Sequence, residues 1–81
     1  MARVKLTGNL RRFVDSNEEL EIEGTNIRQI LLALGKQFPA LAPHLEEGIA
    51  VAVDGVIYQD AWFEKVGPDS NVHIMPAIGG G

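Results

Sequence analysis

Alternation of apolar and polar residues predicts two strands near the start of the chain. Val4 and Leu6 alternate with basic and polar residues, which is the pattern of a strand that is buried on one face. Leu20 and Ile22 alternate with glutamates in the same way. A turn-forming Asp-Ser-Asn cluster at residues 15–17 lies between them, so the two strands are expected to form a hairpin with a long loop.

A pattern with a helical period follows the second strand. Five apolar residues share one face of the predicted helix: Ile27, Ile30, Leu31, Leu34 and Phe38. Thr25 or Asn26 can cap its amino end, because their side-chain oxygens accept free amide hydrogens of the first turn. Pro39 disfavours helical backbone at the residue before it, so the helix should end there. Residues 40–48 are expected to form a loop.

The rest of the chain predicts three more strands. Residues 49–53 are apolar on both faces, so this strand is either covered on both sides or meets a partner on its outer face. An Asp-Gly pair separates it from the apolar residues 56–58 and is a strong signal for a two-residue hairpin turn. The last strand begins at Val72, and its pairing should end near Pro76, which has no amide hydrogen. This order of elements predicts an α+β fold with one helix packed on a mixed sheet.

Composition restricts the classes of function. A chain of 81 residues, 46% of them hydrophobic, is expected to form one compact domain. The net charge of −4 and the pI of about 4.9 argue against nucleic-acid binding, because an acidic surface repels phosphates. No segment approaches about 18 consecutive apolar residues, and no signal peptide is visible, so we expect no membrane association and a cytoplasmic location. The chain has no cysteine, which excludes disulfides, thiolate metal ligands and cysteine nucleophiles.

No group of side chains in the sequence has the pattern of a catalytic or metal site. His44 has no neighbouring histidine or cysteine to complete a metal site, and His73 is expected on a strand surface. Asp54 is a turn residue without a second carboxylate to act with it. Trp62 and Phe63 are expected in the core. We therefore expect no cofactor, no metal and no catalytic activity of the isolated chain.

The carboxyl end carries the strongest candidate chemistry. Pro76, Ala77 and Ile78 are followed by Gly79, Gly80 and Gly81. Because glycine has no side chain beside its carboxylate, such an end can enter a narrow channel. The residues from Pro76 to Gly81 can extend by roughly 20 Å at about 3.3–3.6 Å per residue. We therefore expect the terminal carboxylate to be the working group, held out on a stem.

These features together resemble the ubiquitin-like sulfur carriers (the MoaD/ThiS type), which include the small subunit of molybdopterin synthase and the thiamin-pathway carrier. The resemblance covers essentially the whole chain and rests on four features. They are the order of the elements, Val-Asp-Gly at residues 53–55, Gly-Pro-Asp at residues 67–69 and the ending from Ile74 to Gly81. It implies a β-grasp fold with sheet order 2-1-5-3-4, a domain of residues 1–78 and a flexible glycine tail at residues 79–81.

The resemblance also implies a chemistry and a set of partners. An activating enzyme would use ATP to adenylate the carboxylate of Gly81, and a sulfur donor would convert it to a thiocarboxylate. The tail from Pro76 to Gly80 would enter the partner that accepts the sulfur, which would be the large catalytic subunit of molybdopterin synthase or an analogous enzyme. Carriers for thiamin, cysteine or other thiolation pathways, and a modifier joined to lysines, are the alternatives.

Two further points in the sequence concern how these partners would be met. The family usually ends in two glycines and this chain ends in three, so either Gly81 reacts or its removal makes Gly80 the terminus. An additional glycine changes little chemically, which favours Gly81.

The outward positions of the sheet are apolar, and exposed apolar patches mark interfaces. The residues expected in this patch are Met75, Phe13, Ala50 and Ala52.

Overall fold

The chain forms a five-stranded mixed sheet with one α-helix on its inner face. The computed structural model describes residues 1–14, 20–45, 49–59 and 61–76. The strands are β1 (Ala2–Leu6), β2 (Leu20–Ile22), β3 (Ile49–Val53), β4 (Val56–Tyr58) and β5 (Asn71–Pro76), and the helix α1 is Ile27–Gln37. Two short 3₁₀ helices, Gly8–Phe13 and Ala42–Leu45, occupy segments that the sequence predicted as loops.

The strand order is β2-β1-β5-β3-β4, which confirms the order that the family resemblance implied. The central pair β1 and β5 is parallel, with Val4 opposite Val72 and Leu6 opposite Ile74, and the other pairs are antiparallel. The strand that ends in the tail therefore lies in the middle of the sheet. This central position gives the tail a rigid base, because β5 is hydrogen-bonded on both sides.

The helix begins where its capping residue predicts. The Asn26 side chain accepts a hydrogen bond from the Gln29 backbone amide at 2.8 Å, and the Gln29 side chain accepts in return from the Thr25 amide and hydroxyl. This arrangement satisfies amide hydrogens that have no partner inside the helix. Of the predicted apolar face, four residues are buried (Ile27, Ile30, Leu31 and Leu34) and Phe38, at the end of the helix, is partly buried against the same core.

The hairpin between β3 and β4 confirms the Asp-Gly signal. Asp54 has φ 49° and Gly55 has φ 90°, so both central residues of the turn are in the left-handed region that such hairpins require. The Asp54 carboxylate also accepts a hydrogen bond from the Asn71 amide at 2.8 Å. Asp54 therefore acts as a structural residue that ties the turn to the start of β5.

The segment between β4 and β5 differs from the sequence prediction. Trp62 is partly buried against the core, as expected, but the side chain of Phe63 is 77% exposed. The backbone explains the difference, because the carbonyl of Trp62 accepts from the Arg28 amide and fixes this turn against the start of α1. Consecutive side chains in the turn point in different directions, so only one of the two aromatic rings enters the core.

Among the described residues, no helix is long and apolar enough to cross a bilayer.

Candidate functional site

The candidate tail follows β5 in the sequence, and β5 is described as far as Pro76, beside the first 3₁₀ helix. Pro76 is the last residue of β5 and lies opposite Ile49, the first residue of β3. The strand is described as far as Pro76, so the prediction that pairing ends near this proline, which has no amide hydrogen, stays a prediction. The tail residues Ala77, Ile78, Gly79, Gly80 and Gly81 lie outside the described residues, so their role as the inserted stem and reacting terminus stays a prediction.

A close backbone approach fixes the position of Pro76. Gly8 has φ 64°, and a Cβ atom at this position would lie 3.0 Å from both Cγ and Cδ of Pro76. The preceding Thr7 amide donates to the Ile74 carbonyl at 3.0 Å, which continues the pairing of β1 with β5 up to this point. Only glycine meets both requirements, because it tolerates positive φ and presents no Cβ to the proline ring.

Replacing Gly8 with alanine should therefore destabilise the fold and displace Pro76. Gly55→Ala is a matched control, because Gly55 also has positive φ but nothing lies within 4 Å of a Cβ there. Both variants should lose about 1–2 kcal/mol from backbone strain. The Gly8→Ala variant should lose at least about 1 kcal/mol more from overpacking. Urea unfolding of both variants measures the difference, and equal losses would show that Gly8 does not position Pro76.

An aromatic stack lies between the two 3₁₀ helices. The rings of Phe13 and His44 stack with centroids 4.4 Å apart, and the Arg12 guanidinium lies 5.8 Å from the Phe13 ring centroid. Phe13 is half-buried and packs against the core. The prediction that Phe13 shares the outer face of the sheet is therefore wrong, because the 3₁₀ helix after β1 turns its ring toward the second 3₁₀ helix instead.

The outer face of the sheet is defined by the strand register. One row of neighbouring residues crosses four strands, from Lys5 on β1 through His73 and Ala52 to Ile57 on β4. Directly opposite side chains in such a row lie about 4.5–5.5 Å apart. Met75 and Ala50 form the next pair toward the tail. The predicted neighbours Met75, Ala50 and Ala52 therefore do lie together on this face.

The exposure of these residues changes which of them can contact a partner. Ala50 is only 1% exposed although it lies outside the core cluster, so it cannot serve as the contact residue that the sequence predicted. A methyl group barely rises above the strands, and the longer Met75 side chain lies opposite it. Met75 and Ala52 are half-buried, and Ile57 is 57% exposed. Ile57 was missed, although the two-residue turn already placed it opposite Ala52.

Charge is distributed unequally on the outer face. Arg3 and Lys5 are exposed on β1, where Arg3 lies opposite Glu21 of β2 and Lys5 lies opposite His73. The half over β3 and β4 is apolar, with Ala52 opposite Ile57. The face therefore offers a partner an apolar patch beside a charged edge.

The inner side of β4 contains a separate polar contact. The nearby core and the Glu64 carboxylate, which accepts a hydrogen bond from the phenol, raise the pKa of Tyr58. The pair ties β4 to the segment before β5.

Among the described residues, no group of three histidine, aspartate or glutamate side chains could hold a metal ion.

Comparisons with known proteins agree with this architecture. The model of the ThiS family matches residues 4–81, which is nearly the whole chain and includes the glycine tail. No curated protein sequence shows a significant match.

Several solved structures share the fold. The small archaeal modifier protein SAMP1 from Methanosarcina acetivorans is 24% identical with a TM-score of 0.82, and the match covers 99% of this chain and 95% of that one. A chain of the BexX/CysO complex from Amycolatopsis orientalis is 18% identical with a TM-score of 0.81 over 100% of both chains. CysO from Mycobacterium tuberculosis is 12% identical with a TM-score of 0.82, covering 96% of this chain and 100% of that one. These likenesses confirm the β-grasp fold.

Proposed function

Because the chain belongs to the ThiS family of ubiquitin-like sulfur carriers, we propose that its C-terminal Gly81 is adenylated and then converted to a thiocarboxylate. The observation that carries the proposal is the family match, which extends through the three terminal glycines. The position of β5 supports it, since the strand that precedes the tail is central in the sheet and is paired with β1 and β3 as far as it is described.

The proposed chemistry follows from the reactivity of a carboxylate. A carboxylate is a poor electrophile, so its oxygen first attacks the α-phosphorus of ATP, and pyrophosphate leaves. A hydrosulfide equivalent then attacks the acyl carbon, the bond to the AMP oxygen breaks, and AMP leaves. The resulting thiocarboxylate sulfur is a good nucleophile, so it attacks an electrophilic carbon of the acceptor, and the group bound to that carbon leaves. Water then attacks the acyl carbon of the thioester, the acyl C–S bond breaks, the carboxylate is regenerated and the sulfur stays on the acceptor. With no cysteine in the chain, the terminal carbonyl is the one plausible place for the transferred sulfur.

Partners would supply all the catalytic groups. The described side chains offer no metal cluster, and Asp54 is used by the hairpin turn. In this proposal the chain binds no cofactor, its activating enzyme binds the ATP, and the chain is a non-catalytic co-substrate. Molybdopterin synthase is the first candidate for the acceptor, with this chain as its small subunit. Pathways to thiamin, cysteine or other thiolated products remain alternatives.

Intact-mass spectrometry tests the central step. The full chain is incubated with ATP, sodium sulfide and an activating enzyme encoded in the same genome, and a gain of about 16 mass units is expected when sulfur replaces oxygen. Fragmentation should place the gain on Gly81. If the mass stays unchanged with every activating enzyme of that genome, the proposal is wrong. Incubation without ATP is the control, because adenylation must precede the exchange.

A second candidate function is a protein modifier, which is favoured by the likeness to a small archaeal modifier protein. The same activated terminus would then be attacked by a lysine amine, AMP would leave, and an isopeptide bond would form. Antibody detection of the tagged chain in cell extracts distinguishes the two candidates. A modifier should give higher-mass conjugates that disappear when Gly79, Gly80 and Gly81 are all deleted, whereas a dedicated sulfur carrier should give only the unconjugated chain.

The outer face of the sheet is the proposed docking surface for the activating enzyme. Introducing a charge at Ile57 should weaken this complex about ten-fold or more, because a carboxylate would be buried in the apolar half of the interface. Leu32→Asp is the matched control, since Leu32 is 54% exposed but lies on the helix. Calorimetric titration of Ile57→Asp and Leu32→Asp measures both. Equal affinities would show that the enzyme docks elsewhere.

A further inference from the structure

A second apolar surface lies on the helix side, away from the outer sheet face. A cleft of about 580 Å³ lies between α1, the second 3₁₀ helix and the turn before β5. Its apolar walls are Leu31 and Leu32 of α1, Leu45 and Trp62. Leu31 and Leu45 also belong to the core, whereas Leu32 remains 54% exposed and is the apolar wall that a partner can reach most fully.

Backbone contacts hold the two sides of this cleft in place. The Arg28 amide donates to the Trp62 carbonyl at 2.8 Å, which fixes the tryptophan beside the start of α1. At the other end, a Cβ atom on Gly35 would lie 3.1 Å from Cβ of Ala42, so the missing side chain lets the second 3₁₀ helix pack closely. The cleft is therefore preformed by the main chain.

The rim of the cleft is basic. Arg28, Leu32 and Lys36 follow one another at intervals of four residues, so they form a stripe along α1 with a cation at each end. The two cations are separated by eight residues, or about 12 Å of helix. Within the described part of the chain, neither side chain has an ion-pair partner and no residue that lines the cleft is a carboxylate. Glu46 and Glu47, which follow Leu45 in the sequence, lie outside the described residues.

From this geometry we propose that the cleft binds an acidic amphipathic helix of a partner protein. An apolar groove with a preformed wall suits the apolar face of a helix, and a basic rim selects acidic flanking residues. Two helical turns span about 11 Å, which matches the separation of Arg28 and Lys36. The site lies on the opposite side of the molecule from the outer sheet face. A partner bound in the cleft would therefore leave the tail and the proposed enzyme-docking face accessible.

Peptide binding tests this inference without using the tail chemistry, so its failure would leave the proposed function standing. The probe is a fluorescent helical peptide of about fourteen residues with leucines on one face and glutamates on both flanks. A second peptide has lysines in place of the glutamates. Fluorescence anisotropy with the full chain should show saturable binding of the acidic peptide and at least about ten-fold weaker binding of the basic one. Absence of saturable binding, or equal binding of both peptides, would overturn the inference.

Variants locate the binding to the cleft. The double variant Arg28→Glu and Lys36→Glu should reverse the preference and bind the basic peptide better. Leu32→Asp should weaken acidic-peptide binding about ten-fold, whereas Ile57→Asp on the outer sheet face should leave it unchanged. The variant Glu46→Gln and Glu47→Gln should bind the acidic peptide at least as well as the parent chain. Loss of binding in Ile57→Asp with retention in Leu32→Asp would place the peptide on the sheet and overturn the proposal.

Discussion

Replacing Gly81 with alanine is expected to abolish the sulfur-dependent mass gain while leaving the stability of the fold unchanged. The added methyl group would lie next to the reacting carboxylate, where a narrow channel in the activating enzyme admits only backbone atoms. The fold is not expected to respond, because the residues of the described core all precede the tail, and the last of them is Ile74. The measurements are the gain of about 16 mass units and the thermal midpoint of unfolding of the same sample.

Deletion of Gly81 separates the two possible reacting ends. A chain that ends at Gly80 keeps a two-glycine terminus, so it should be activated normally if Gly80 is the natural reacting residue. If Gly81 reacts, the shortened stem should lower the rate of the mass gain. Full activation of Gly81→Ala without prior cleavage would contradict the requirement for a bare terminal glycine. A drop of several degrees in the thermal midpoint of unfolding of Gly81→Ala would contradict the independence of tail and core.

The parts of the fold that could be predicted are those set by local rules. Asn26 caps α1 and the Asp-Gly pair makes the hairpin turn, because each depends on residues within a few positions of one another. The mixed sheet with one helix follows from the order of periodic segments. The strand order came from the family resemblance, since periodicity alone does not say that β5 inserts between β1 and β3.

The parts that could not be predicted depend on contacts between distant segments. The Phe13 and His44 rings stack only because the two 3₁₀ helices pack together, and the pattern of apolar residues in these segments does not predict that packing. Ala50 is buried because longer side chains beside it, such as Met75, cover its methyl group, and the alternation of residues along the strand does not reveal this. The cleft beside α1 forms where Leu45 and Trp62, which are seventeen residues apart in the sequence, both approach the helix. For the candidate site, the sequence predicted the tail, whose role stays a prediction, and the outer face of the sheet, where Ile57 rather than Phe13 or Ala50 is exposed.

The two faces of the molecule have different relations to the tail. The outer sheet face includes Met75, directly before Pro76, so a partner docked there is guided toward the tail. The cleft beside α1 is built on the other side of the sheet and shares no residue with that face. A sulfur carrier receives sulfur with the help of one protein and delivers it to another. Because the two faces are separate, one partner can stay bound in the cleft while a second partner on the outer sheet face acts on the tail.

The stability of the strand that carries the tail should depend strongly on Ile74. Ile74 is fully buried between its neighbours on β1 and β3, and it belongs to the main core cluster. Replacing it with alanine should cost about 2–5 kcal/mol, since the lost methyl groups leave a cavity in the centre of the sheet. A domain of 81 residues has a total stability of about 4–12 kcal/mol at typical values per residue. The variant should therefore lose a large fraction of its stability.

Met75→Ala provides the matched control for this prediction, because Met75 is the next residue of the same strand but is half-buried on the outer face. Its loss should cost under about 1 kcal/mol, since less apolar surface returns to water and no closed cavity forms. Urea unfolding gives both free energies, and thermal midpoints should differ by at least roughly 4–8 °C, since the two losses differ by about 1 kcal/mol or more. At temperatures where Ile74→Ala is folded, its tail should still gain sulfur, because the reacting end is distant from the cavity. Equal destabilisation by the two variants would contradict the assignment of inner and outer faces on which the docking surface depends.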